Sequence, residues 1–404
     1  MILLGTDIIV NIFNFIDNKT DLLSIKNSCK YLYNLKYVVK YYENKTYPNI
    51  ITPLIRITNN PYSLCITQSA LLHNLSYITT LDIRGLKKIK FKNINNLKYL
   101  YCDDVYASSI KKCKELELLY CKNAQNHLRD NSIHHMVKLT VLQCTSTQFT
   151  DNLLYKLKYL EILQITSNCK YSVNGYSQLI NLHTIETGGL YLHNSSMIRH
   201  IPKLKTIRCS HINNFYDSDI INRTNIEILY ATHLCHFTDL SIRTLTNLTV
   251  LDVRHQLSVT DISLQYLTNL IELYCPENIT GECLLKLPNL KRLYCVYNSF
   301  INDNIIVQLD LEELECLFNT SITDNSIKTQ SNLQYLVCNS VITEYSIRLL
   351  PNLKKINVGY NYNYSSNLFL EKPQLLISLI KTNSSHCRKF CKMLKLMGGK
   401  TISS

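Results

Sequence analysis

The chain has 404 residues, 46% of them hydrophobic, with nine glycines, eight prolines, 28 tyrosines and no tryptophan. That length and apolar fraction exclude wholesale disorder and leave room for a large buried core. The formal charge of +13 comes from scattered basic residues with no long run, which reads as a solvated basic surface and not as a nucleic-acid footprint.

Residues 1–42 come first and stand apart. Ile8, Ile9, Ile12, Phe13 and Ile16 fall at helical spacing behind Thr6 or Asp7 as N-cap. A second apolar segment opens at Asp21 with Leu22, Leu23 and Ile25. Short helices with so many apolar residues expose more hydrophobic surface than they bury among themselves, which predicts a partner. The series Leu4-x-x-Asp7-Ile8-Ile9-x-x-Ile12-Phe13-x-x-Ile16, then Asp21-Leu22-Leu23-Ser24 and Ser28-Cys29-Lys30, resembles the F-box family. Gly5 stands where that family has proline, and Tyr31, Leu32 and Tyr33 replace its tryptophan. The resemblance implies binding to the Skp-type adaptor and cullin core of a ubiquitin ligase, through Leu4, Ile8, Ile9, Ile12, Phe13, Leu22 and Leu23. A helical cap sealing the next domain is the alternative.

The start carries Asp7 and Asn11 and lacks the basic region of a signal peptide. No stretch reaches the roughly 20 apolar residues that cross a bilayer. The expectation is an intracellular protein, cytoplasmic or nuclear, not secreted and without a membrane partner.

Residues 43–74 are less regular, and "CITQSALLHNL" suggests a degenerate first repeat or linker. From residue 75 to 362 one phrase recurs, Leu-x-x-Leu-x-Cys. Its second apolar residue falls at Leu81, Leu100, Leu119, Leu142, Leu163, Ile185, Ile207, Leu229, Leu251, Leu273, Leu293, Leu314, Leu336 and Ile356, in steps of 19 to 23 residues. Such a period marks a solenoid of stacked coils. The third core position is Cys at 102, 121, 144, 209, 275, 295, 316 and 338 but Ile or Val at 83, 165, 253 and 358. Cysteine there serves as a small hydrophobe, with no redox or metal chemistry required.

Three residues further on, Asn recurs at 168, 278, 298, 319 and 361, where its amide can satisfy backbone groups of neighbouring coils. Thr147, Ile212 and Leu234 interrupt that ladder. Between strands stand "FTDNLLYKL", "FTDLSIRTL", "VTDISLQYL", "ITDNSIKTQ" and "ITEYSIRLL", each an N-cap followed by about two turns of helix. The pattern resembles the cysteine-containing leucine-rich repeats. The implied architecture is α/β, a leucine-rich-repeat solenoid (a horseshoe) with a small N-terminal helical F-box-like module.

Side chains alternate along a strand, so the residue between the two inner positions faces the concave side. Tyr101, Tyr120, Arg208, Tyr230, Tyr274 and Tyr294 occupy that column, and Tyr99, Arg292 and Tyr335 flank it. Tyrosine and arginine anchor interfaces, so these nine are the candidate target-binding residues.

Residues 363–404 break the period. Phe390, Leu394 and Met397 among Arg388, Lys389, Lys392 and Lys395 suggest a C-terminal cap with a basic tail. Cys387 and Cys391 near His386 lack a fourth ligand, so no metal is expected. No catalytic motif is present and no cofactor is expected. The reading that joins both ends is a non-catalytic substrate-recognition subunit of a Skp–cullin–F-box ubiquitin ligase, its target protein unknown. The alternatives are a repeat scaffold unconnected to ubiquitin, or a nucleic-acid-binding solenoid that leans only on net charge.

Overall fold

The structure is a computed structural model that describes residues 55–56, 63–66, 79–84, 94–122, 128–144, 148–165, 171–188, 195–210, 215–232, 235–358, 368, 371–372 and 374–379. The F-box-like segment 1–42, the interrupting positions Thr147, Ile212 and Leu234, Asn168, Asn361 and the stretch holding His386, Cys387 and Cys391 lie outside the described residues. The chain divides into two compact units, Met1–Asn181 and Leu182–Ser404.

In the first unit, strands Thr80–Ile83, Tyr99–Cys102, Leu118–Cys121, Val141–Cys144 and Ile162–Ile165 pair in sequence order, all parallel. Leu81, Leu100, Leu119, Leu142 and Leu163 are successive register partners. Strand Ser63–Ile66 precedes them, with Leu64 opposite Leu81, and takes Ile55–Arg56 as an antiparallel neighbour.

The second unit repeats the plan from Thr184–Gly188 to Lys355–Val358. Ile185, Ile207, Leu229, Leu251, Leu273, Leu293, Leu314, Leu336 and Ile356 form one unbroken register row. Strand Leu376–Leu379 extends the row, with Ile377 opposite Ile356, past the last copy of the recurring phrase. Every leucine or isoleucine of the two rows from Leu81 to Ile356 is at most 1% exposed. Such a side chain contributes about 1.5–3 kcal/mol through burial. Each unit is a leucine-rich-repeat solenoid.

The cysteine column from Cys102 to Cys338 is buried as well, and its thiols are free. The Cys102 thiol donates to the Tyr120 carbonyl at 3.3 Å and Cys316 to Val337 at 3.5 Å. A weak donor in an otherwise apolar column distinguishes cysteine from valine there.

The returning helices are shorter than expected. Asp151–Leu154, Asp239–Ile242, Asp261–Leu264 and Asp324–Ile327 each span four residues, about one turn. The threonine caps its own helix: Thr150, Thr238, Thr260, Thr323 and Thr343 each accept from the N–H two residues on. The first helical residue reaches across to the next coil. Asp239 accepts from the N–H and the hydroxyl of Thr260 at 2.8 and 2.6 Å, and Asp324 holds Thr343 at the same two distances. Asp130, Asp217, Asp261 and Asp303 repeat the arrangement. Thr-Asp is therefore both a cap and an inter-coil strut.

The asparagine ladder is complete at Asn298 and Asn319, while Asn278 donates to Leu257 at 2.8 Å but its Oδ1 finds no donor among the described residues. Asn298 donates to the Pro276 and Ile279 carbonyls at 2.9 and 3.0 Å, and accepts from the N–H groups of Phe300 and Ile301. Asn319 bonds Asn298 and Ile301 the same way. The residues before them, Tyr297 and Phe318, hold φ of 62° and 61°. Turning the amide inward thus places two aromatics in the left-handed region at some cost. Gln256 takes the asparagine's place one coil before Asn278 and donates to Ala231 at 3.2 Å. A second ladder lies at the opposite strand ends. Asn181, Asn247, Asn269, Asn289 and Asn352 each donate to a carbonyl of the preceding coil at 2.8–3.2 Å.

Candidate protein-binding face

The register rows bury one side of each sheet and turn the alternate residues to the open side. In the first unit this brings Tyr99, Tyr101 and Tyr120 onto neighbouring strands. The rings of Tyr101 and Tyr120 stand 6.4 Å apart, tilted by 37°. The Tyr99 hydroxyl donates to Glu117 at 3.0 Å, and that bond raises its pKa. Lys98, hydrogen-bonded to the same carboxylate, holds Glu117 below the usual carboxylate range.

The second unit gathers a denser group. The Arg208 guanidinium lies 4.1 Å from the centre of the Tyr230 ring, and Tyr230 and Tyr274 stand 6.3 Å apart. Tyr274 and Tyr294 stack with ring centres 3.9 Å apart and planes within 7°. Arg254 approaches Tyr274 at 4.4 Å from the preceding coil, so the ring is held between a guanidinium and a second ring. The Tyr294 hydroxyl donates to Glu313 at 2.9 Å. Burial first, and then the Glu272 and Glu313 carboxylates, push the Tyr274 and Tyr294 phenols well above their ordinary value. Arg292 donates to Glu272 at 2.7 Å. Tyr335 carries Lys355 over its ring at 4.8 Å, and burial raises its phenol.

Strand alternation alone would turn these rings to solvent, so that truncation would leave folding nearly untouched. The structure corrects that, because Tyr274 and Tyr294 are half-buried against each other. Two members of the open column go further: Asp252 and Val337 are 2% and 3% exposed.

Sequence reasoning missed Arg254, which pairs with Asp252 at 2.9 Å, and Arg84, which pairs with Asp82 at 2.6 Å. A signal was present: Leu-Asp-x-Arg occurs at residues 81–84 and 251–254, and each time the next coil offers a tyrosine in the open column. The group can present aromatic surface and fixed charge to a partner. Among the described residues no cluster of three or more His, Cys, Asp or Glu could hold a metal ion, and no helix is long and apolar enough to cross a membrane.

No protein-family model and no curated protein sequence matches the chain. Among solved structures it is similar to an internalin of Listeria monocytogenes, at 20% identity over 65% of this chain and 74% of that one, TM-score 0.46. A leucine-rich-repeat protein of Leptospira interrogans is 18% identical over 75% of this chain and 84% of that one, TM-score 0.49. The yeast complex of Rad7 and Elc1 gives 15% identity over 72% and 80%, TM-score 0.44. The solenoid assignment rests on the chain's own strand register.

Proposed function

We propose that the chain is the substrate-recognition subunit of a Skp–cullin–F-box type ubiquitin ligase. Residues 1–42 bind the Skp-type adaptor, and the open face of the repeat sheet binds a target protein. The observation that carries the recognition half is the Arg254–Tyr274–Tyr294 stack, a rigid aromatic surface flanked by charge, which is the composition of a binding hot spot. The adaptor half is supported by the F-box-like order of Leu4, Asp7, Ile8, Ile9, Ile12 and Phe13. A subunit of this kind makes and breaks no bonds. It raises the effective concentration of a bound target beside the ligase's active partners.

A pull-down with the Skp-type adaptor tests the reading, comparing the native chain with Ile8→Asp/Ile12→Asp. The native chain should retain the adaptor. The variant should lose it, because unpaired carboxylates would be desolvated in the interface, while thermal unfolding of the repeats stays where it was. A native chain that captures no adaptor leaves a protein-binding repeat scaffold unconnected to ubiquitin. A variant whose unfolding collapses identifies residues 1–42 as a helical cap.

A further inference from the structure

An acid–arginine–tyrosine arrangement occurs twice, once in each unit. Asp82 accepts from Arg84 Nη2 at 2.6 Å, and the guanidinium lies 5.4 Å from the ring of Tyr101, one coil on. Asp252 accepts from Arg254 Nη2 at 2.9 Å, and that guanidinium lies 4.4 Å from the ring of Tyr274, again one coil on. The acid stands in the open column both times, with its arginine two residues later. The chain thereby shows how its face holds a guanidinium: a carboxylate takes the hydrogen bonds and a tyrosine ring takes the flat surface.

Glu315 has the same place in its coil, in Leu314-Glu315-Cys316-Leu317. Leu317 stands where the arginine would, and it is only 9% exposed. Tyr294 is the register partner of Glu315 in the preceding coil; its partner in the next coil is Val337, and the ring on that side is Tyr335, opposite Glu313. The cation is missing. Among the described residues none donates a hydrogen bond to the Glu315 carboxylate or lies within ion-pair distance of it. Arg254 is engaged by Asp252 and Arg292 by Glu272, while Lys355 lies over Tyr335.

Two further observations agree. Burial raises the Glu315 pKa, and the charge of Arg254, which forms no ion pair with it, opposes that shift. Two coils along the same column, Asn357 Oδ1 is buried with no donor among the described residues.

We propose that this face takes a protein segment that inserts an arginine side chain beside Glu315, between the Tyr294 and Tyr335 rings. The partner's guanidinium completes there what the chain builds for itself at Asp252. A planar guanidinium satisfies both demands of the place, two-pronged pairing with a carboxylate and stacking on a ring. A phosphate backbone laid across it would meet Glu313 and Glu315, which disfavours nucleic acid as the occupant. The inference rests on the reading that this face recognises protein.

Random peptides displayed on phage and selected on the full chain supply the probe. Selected peptides are synthesised with arginine or with citrulline, its neutral near-isostere, and titrated against the native protein, Glu315→Gln and Tyr274→Ala. The selected peptides should carry an arginine whose change to citrulline weakens binding about tenfold to a hundredfold. Glu315→Gln should erase the difference between the two peptides. Because the citrulline change lies in the peptide, titration of the native protein alone tests the site even if a variant fails to fold. Peptides lost on Tyr274→Ala but indifferent to citrulline and to Glu315→Gln overturn the arginine site and leave protein recognition by the face standing. Peptides indifferent to all three changes overturn both.

Discussion

The Asp303 carboxylate joins its own coil to the next by accepting from the Thr323 N–H at 2.8 Å and the Thr323 hydroxyl at 2.6 Å. The Ser326 hydroxyl adds a third donor at 2.5 Å. Asp303→Ala removes all three bonds and leaves a half-buried N–H unpaired, so it should cost about 2–3 kcal/mol. Asp310→Ala provides the contrast, since Asp310 makes an exposed pair with Lys291, and exposed pairs contribute about 1 kcal/mol or less. Urea denaturation of both variants should separate the strut from the surface pair. Equal midpoints would mean that the ladder contributes nothing.

The same carboxylates set an acid limit. Burial alone would raise Asp303, but donors from Ser326 and Thr323 outweigh it and hold the group below the ordinary value. Asp261 is likewise lowered against its burial by Thr280 and Cys283. A folded-state pKa below the unfolded one makes the stabilisation fully present above the unfolded value, and it is lost as pH falls through the folded value. The melting temperature should hold from neutral pH down to about 5, then fall progressively below about 4. Asp303→Asn should flatten that acid slope, and an unchanged slope would remove Asp303 from the account.

The two asparagine ladders should differ in worth. Asn298 is fully buried and makes four hydrogen bonds. Asn298→Ala should therefore cost about 2–4 kcal/mol through stranded backbone groups. Asn247 and Asn269 are exposed and make one bond each, so either change to alanine should cost about 0.5–1.5 kcal/mol. Chemical denaturation of the three single variants reads the order directly.

Cys295, Cys316 and Cys338 are fully buried. Burial pushes the Cys295 thiol up to about 12, and a protonated, inaccessible thiol is a poor nucleophile. A bulky maleimide followed by mass spectrometry should modify none of the three in the native protein, and all of them in urea. Rapid native labelling of Cys295 would contradict its inward position.

Much of this fold was legible because the strand rows are apolar and fall at a nearly constant period. Within each unit, the leucines and isoleucines aligned from the sequence are the register partners seen in the structure. The less legible part is polar and acts between coils. Asn247 and Asn269 recur four residues ahead of the aligned leucines, but an asparagine-rich chain hides such a column. Asn339 bonds Asn319 from two positions ahead of the ladder's regular spacing. The strut role of Asp239 or Asp324 could not follow from a cap reading, since their threonine partners lie 21 and 19 residues away. On the open face the tyrosine column was legible, whereas its stacking and the guanidinium of Arg254 depend on three coils meeting at once.

Tyr294 is where stability and recognition separate most cleanly. Its ring stacks on Tyr274, its hydroxyl donates to Glu313, and its far side adjoins Glu315 in the next coil. Tyr294→Phe keeps the stack and loses one hydrogen bond, so it should cost folding about 0.5–1.5 kcal/mol. Tyr294→Ala also loses the stacked, half-buried ring, so its folding cost should rise to about 2–3 kcal/mol. A bound partner should respond differently: Phe offers it nearly the same flat surface, whereas Ala removes an anchor and should cost about 1–3 kcal/mol of affinity. Urea denaturation gives the first pair of numbers. Titration of a captured partner, well below the unfolding transition, gives the second. If Ala and Phe bind that partner equally well, the ring serves the fold alone, and recognition belongs elsewhere on the molecule.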